Sequence, residues 1–137
     1  MAWPTRRHFD ELIRNTERRL QQVRIVRLEI GSQRALIDVE GLWGNYRIIL
    51  SEIHRPDGSL RYAYYVLDNE NRLVVGFDNS SDVQALKMRY GDDWREHLHE
   101  EIPHSHDSHH ELRLTGEINV FRFFDWLQTN FTLTKTQ

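Results

Sequence analysis

The sequence has no cysteine, which excludes disulfides and every thiolate metal site. Lysine is almost missing as well: Lys87 and Lys135 stand against sixteen arginines. No apolar run approaches the roughly 18 residues that a membrane helix needs. The N-terminal stretch "MAWPTRRHFDEL" lacks the apolar core of a secretory signal. There are no repeats and no low-complexity linker, and 137 residues is the usual size of one domain. These absences predict a single-domain cytoplasmic protein, spanning 1–137, with no membrane association.

What is present is unevenly distributed. Residues 1–34 hold eight arginines (6, 7, 14, 18, 19, 24, 27 and 34) against Asp10, Glu11, Glu17 and Glu29. Residues 92–111 hold seven acids and one arginine. An arginine-rich face is most often a solvated one, but guanidinium also binds phosphate in a bidentate fashion. Arg6 and Arg7 are therefore candidates for holding a phosphate.

Hydrophobic periodicity predicts a helix over 5–22, with Phe9, Leu12, Ile13 and Leu20 on one face and Thr16 filling the stripe. From residue 24 the period changes to two. Val26, Leu28 and Ile30 alternate with charges, then Ala35, Ile37 and Val39 with Leu36 and Asp38. "YRIILSEI", "LRYAYYVL" and "RLVVGFD" continue the series, joined by "RPDG" and "DNEN". Short links of that composition imply antiparallel neighbours. The expectation for 24–78 is a five-stranded antiparallel meander. Residues 79–112 read as a helical or irregular, histidine-rich segment. A second helix is expected over 117–130, where Val120, Phe121, Phe124, Leu127 and Phe131 recur at helical spacing. The fold class is α+β, with the N- and C-terminal helices packed on one face of the sheet. On the fourth strand Tyr62, Tyr64 and Val66 share one side, and Ala63, Tyr65 and Leu67 the other. One side must meet the helices, so at least one tyrosine is left to face solvent or a partner.

The most pointed feature is "IPHSHDSHHEL". It puts His104, His106, His109 and His110 within seven positions, and His97 and His99 lie just upstream. In an extended chain His104 and His106 project to one face, about 6–7 Å apart at their bases. That span brackets one phosphate or one metal ion. A metal centre would draw three or four ligands from the four histidines with Asp107 or Glu111. A proton-transfer pair needs only one neutral and one charged imidazole. An exposed polar loop needs neither.

The order "RPDGSLRYAYYVLDNENRLVVGFDN", then "PHSH", then a short C-terminal helix, resembles the TumE family of small bacterial toxin–antitoxin proteins over roughly 45–130. Asp57-Gly58 match the family's D-G turn, Tyr62 and Tyr64 its aromatic strand, Asp78-Asn79 its D-N, and Pro103-His104 its P-H. Two departures are visible: Ser80-Ser81-Asp82 follow the D-N where proline and histidines are common, and the second histidine, His106, comes one place early. The resemblance implies a cytoplasmic toxin that acts on RNA and is neutralised by a cognate antitoxin protein.

The expectation is a metal-independent ribonuclease with no cofactor. His104 and His106 act as acid and base, Tyr64 and Asp78 orient them or the substrate, and Arg6, Arg7, Tyr62 and Asn79 bind RNA. The partners are RNA and the antitoxin, with a homodimer left open. A non-catalytic nucleic-acid- or protein-binding module and a metal-dependent hydrolase are the competing readings.

Overall fold

The computed structural model describes residues 5–131. The chain is α+β, but its sheet has seven strands rather than five. The order is α1 (Thr5–Arg19), β1 (Gln21–Ile30), β2 (Ala35–Trp43), β3 (Tyr46–His54), β4 (Leu60–Leu67) and β5 (Leu73–Asp78). Then come α2 (Val83–Tyr90), a 3₁₀ turn (Gly91–His97), β6 (His104–Asp107), β7 (Leu112–Leu114) and α3 (Val120–Asn130). Every strand pairs antiparallel with its neighbour in sequence, so the meander runs unbroken from β1 to β7. No helix among the described residues is long and apolar enough to cross a membrane.

The two extra strands come from the histidine segment. β6 pairs with β5 through Val75↔Asp107, Gly76↔His106, Phe77↔Ser105 and Asp78↔His104. β7 then closes a hairpin on β6. The Asp107 carboxylate accepts the backbone N–H of His109 and of Glu111. His110 takes the left-handed conformation (φ 62°) that lets the chain reverse. "HSHD" carries no β-branched or apolar residue, so propensity does not mark it as a strand. It is a strand because β5 has backbone groups that would otherwise go unpaired.

The helix boundaries also move. α1 stops at Arg19 because Gln21 already pairs with Leu42 on β2. α3 starts at Val120, where the Asn119 side chain accepts the N–H of Arg122 as an N-cap.

α1 and α3 cover one face of the sheet. Phe9 and Leu12 of α1 and Phe123, Phe124 and Leu127 of α3 are buried with Ile37, Ile48, Leu50, Tyr64 and Val66. Burial of one such side chain contributes roughly 1.5–3 kcal/mol. α2 belongs to the opposite face. Its Ala85 and Leu86 form a smaller cluster with Ile102 and Leu112. Leu112 pairs with His106, so this cluster lies beside the histidines and away from the main core. Asp82 caps α2 by accepting the N–H of Ala85.

Candidate functional site

The β5–β6 register builds the site. Asp78, the last residue of β5, lies opposite Ala63 on one side and His104 on the other. His106, two residues along β6, points the same way. Tyr65, two residues from Ala63, also shares this face. Asp78, His104, His106 and Tyr65 thus meet on the face that α1 and α3 leave uncovered.

The contacts centre on the Asp78 carboxylate, which is 5% exposed as a residue. Its Oδ1 accepts the Ser80 hydroxyl at 2.6 Å and the Ser80 N–H at 3.0 Å. Its Oδ2 accepts the Tyr65 hydroxyl at 3.2 Å. The Nε2 of His104 lies 3.2 Å from Oδ1, and the Nε2 of His106 lies 3.8 Å from Oδ2. The two rings meet edge to face with centroids 4.6 Å apart. Burial and then the Asp78 charge push the Tyr65 phenol up to about 12, so it remains a donor at neutral pH.

The two histidines are not equivalent. The His104 side chain is 1% exposed and that of His106 is 28% exposed. His104 Nδ1 lies 2.6 Å from the carbonyl oxygen of Ile102. A carbonyl only accepts, so Nδ1 carries the proton and donates it there. Solvent reaches His106 but not His104. A pair of histidines exchanging protons with one phosphate therefore does not fit this arrangement.

A cleft of about 360 Å³ adjoins the centre, lined by Arg55, Arg61, Ser80, Ser81, His99 and Glu101. Ser80 links it directly to Asp78. Arg55 is held by Glu101 at 2.7 Å. Arg61 is exposed and has no ion pair among the described residues.

The other expected site residues lie elsewhere. Tyr64 is fully buried on the helix-covered face, where its hydroxyl donates to Glu52 at 2.6 Å. Tyr62 is buried beside it, with the rings stacked at 5.0 Å. Neither forms a stacking surface for bases; the tyrosine of the open face is Tyr65. The Asn79 side chain accepts the N–H of Tyr62 at 2.9 Å and donates to the carbonyl of Leu60 at 2.8 Å. It is engaged with the backbone. Arg6 and Arg7 are exposed on α1, across the sheet from Asp78. His109 and His110 are exposed in the β6–β7 turn. His97 stacks on Tyr90 and bonds Glu100 at 2.8 Å.

No family model, curated protein or solved structure matches the chain.

A second polar cluster went unforeseen. Glu52, 1% exposed, receives His8 Nε2 at 2.7 Å, His54 Nε2 at 2.8 Å and the Tyr64 hydroxyl. Burial alone would raise the Glu52 carboxyl, but the bonds from His54, His8 and Tyr64 outweigh it and hold the group down at about 2. The same pairing holds the His8 imidazole above its ordinary value. One signal was present in the sequence: Ile48, Leu50, Glu52 and His54 share one side of β3, so a carboxylate and an imidazole continue a core stripe.

Proposed function

We propose that this protein is a ribonuclease acting in the cytoplasm as the toxin of a toxin–antitoxin pair. The observation that supports it is the junction of a histidine–carboxylate centre with a cleft in which Arg55 is paired with Glu101 and Arg61 has no ion pair among the described residues. Arg61 and His99 line the cleft, and Ser80 connects it to Asp78. RNA cleavage by internal attack needs these two things together. The 2′-oxygen must lose its proton as it bonds to phosphorus, and the departing 5′-oxygen must gain one. The negative charge that builds on the phosphoryl oxygens needs fixed cations and donors.

In this reading Arg61 holds the scissile phosphate. The centre of Asp78, His104 and His106, with Tyr65 bonded to Asp78, takes the proton from the attacking 2′-oxygen, and the departing 5′-oxygen takes one from solvent. His104 is a positioning residue, since its ring is shut away from solvent. The TumE resemblance, carried by Asp78-Asn79 and Pro103-His104, points to the same substrate class.

Tag-free protein incubated with total RNA tests the reading. Cleavage with 2′,3′-cyclic phosphate ends is expected, and DNA of the same sequence stays intact because it lacks the 2′-hydroxyl. His106→Ala and Arg61→Ala should each slow cleavage about 10²-fold or more, the scale of a group acting on charge or protons in the transition state. Uncut RNA, or cleavage at the wild-type rate in both variants, refutes it.

A further inference from the structure

We propose that Asp78, His104 and His106 bind a divalent transition-metal ion of the zinc type. One ligand atom from each residue lies within 4.8 Å of the other two. His106 Nε2, 3.8 Å from the carboxylate, is beyond hydrogen-bond reach, and His104 Nε2, at 3.2 Å, makes no hydrogen bond there. These separations suit ligands that share an ion.

The decisive atom is His104 Nε2. It is buried and has no hydrogen-bond partner. Because Nδ1 donates to the Ile102 carbonyl, a neutral His104 presents a bare lone pair at Nε2. That lone pair faces a carboxylate oxygen, which is also a lone-pair donor. The juxtaposition is repulsive until something positive lies between them. An ion supplies that charge and brings in His106, which a proton alone would leave 3.8 Å away.

The surroundings match what metal-binding residues need. A backbone carbonyl fixes the tautomer of His104, and Ser80 and Tyr65 hold the Asp78 carboxylate by hydrogen bonds. Three protein ligands leave a fourth position open toward solvent, on the His106 side. The His8–Glu52–His54 cluster offers the same kinds of donor at similar spacing. There, however, both imidazoles bond the same carboxylate oxygen directly, at 2.7 and 2.8 Å, and no donor is orphaned.

The ion's part in cleaving RNA rests on the ribonuclease reading; its binding does not. Tag-free full-length protein, stripped with chelator and desalted, is titrated with Zn²⁺ by calorimetry and with Co²⁺ by visible absorption. One ion per chain is expected with micromolar or tighter affinity, and Co²⁺ should show ligand-field bands. His106→Gln and Asp78→Asn should weaken binding at least about 10-fold, and the surface position of His106 should leave that variant's circular dichroism unchanged. His8→Gln should bind like the wild type. No bound ion, unchanged binding in folded His106→Gln, or loss of the ion in His8→Gln overturns the proposal. RNA cleavage is assayed on the same samples. An ion without cleavage refutes the ribonuclease and leaves the site. Cleavage by protein that takes up no ion refutes the site and leaves the ribonuclease.

Discussion

The Glu52 cluster makes the acid stability of this fold a measurable quantity. Replacing Glu52 by Gln keeps the shape and an oxygen that can still accept from His8 and His54. It removes the charge and the acceptor of the Tyr64 hydroxyl, and only the loss of charge varies with pH. The folded carboxyl titrates at about 2 against an ordinary value of 4.5. At about 1.4 kcal/mol for each pH unit, the charge contributes on the order of 3 kcal/mol to folding. A domain of this size has roughly 5–15 kcal/mol in all, so the loss is large. Because the folded value is depressed, the contribution is complete above about pH 4.5 and disappears as pH falls toward 2. On the other flank His8 is raised by its bond to Glu52, against the opposing effect of burial. Its share is complete below pH 6.5 and fades as pH rises through the raised folded value. The two shares describe one interaction and do not add. Urea unfolding of wild type and Glu52→Gln, followed by tryptophan fluorescence from pH 2.5 to 8, reads the difference directly. The gap should be widest between about pH 4.5 and 6.5 and should narrow toward both ends. Carboxylates elsewhere titrate alike in both proteins and cancel. A gap that is flat between pH 3 and pH 6, or that vanishes at pH 6, would refute the charge as its source.

Two further substitutions separate structure from chemistry around Asp78. A Cβ added at Gly76 would lie 2.4 and 2.6 Å from ring carbons of Tyr65. Gly76→Ala must therefore displace that ring, which should cost about 1–3 kcal/mol in urea unfolding. It should also slow RNA cleavage through the lost Tyr65–Asp78 bond; wild-type stability and rate together would contradict the packing. Asn79→Ala leaves a buried N–H of Tyr62 and a carbonyl of Leu60 without partners, a loss of about 2–4 kcal/mol. The rate per folded molecule should stay the same, whereas an RNA-binding role for Asn79 would raise KM.

The first five strands were legible because their sequences alternate with period two and their turns contain "PDG" and "NEN", although β1 turns out to be exposed along almost its whole length, Val26, Leu28 and Ile30 included. β6 and β7 were not, since "HSHD" has no apolar alternation; only the free edge of β5 makes it a strand. The pairing of His104 with His106 was readable as a conditional: if extended, both project to one side. Their partner was harder to see. Asp78 is 26 residues before His104, and only the register Asp78↔His104 brings them together. The tyrosine assignment failed for a related reason. Alternation places Tyr62 and Tyr64 together and Tyr65 opposite, but it does not say which side the helices take. That choice is made by the neighbours: Tyr64 lies opposite Leu50 and Phe77, both core residues, while Tyr65 lies opposite Ile49 and Gly76. The absence of a side chain at Gly76 gives the Tyr65 ring its room. Its hydroxyl can then reach the Asp78 carboxylate. The open face thus owes its tyrosine to a glycine two residues before the aspartate, and any change that fills that space acts on the histidine centre without touching a histidine.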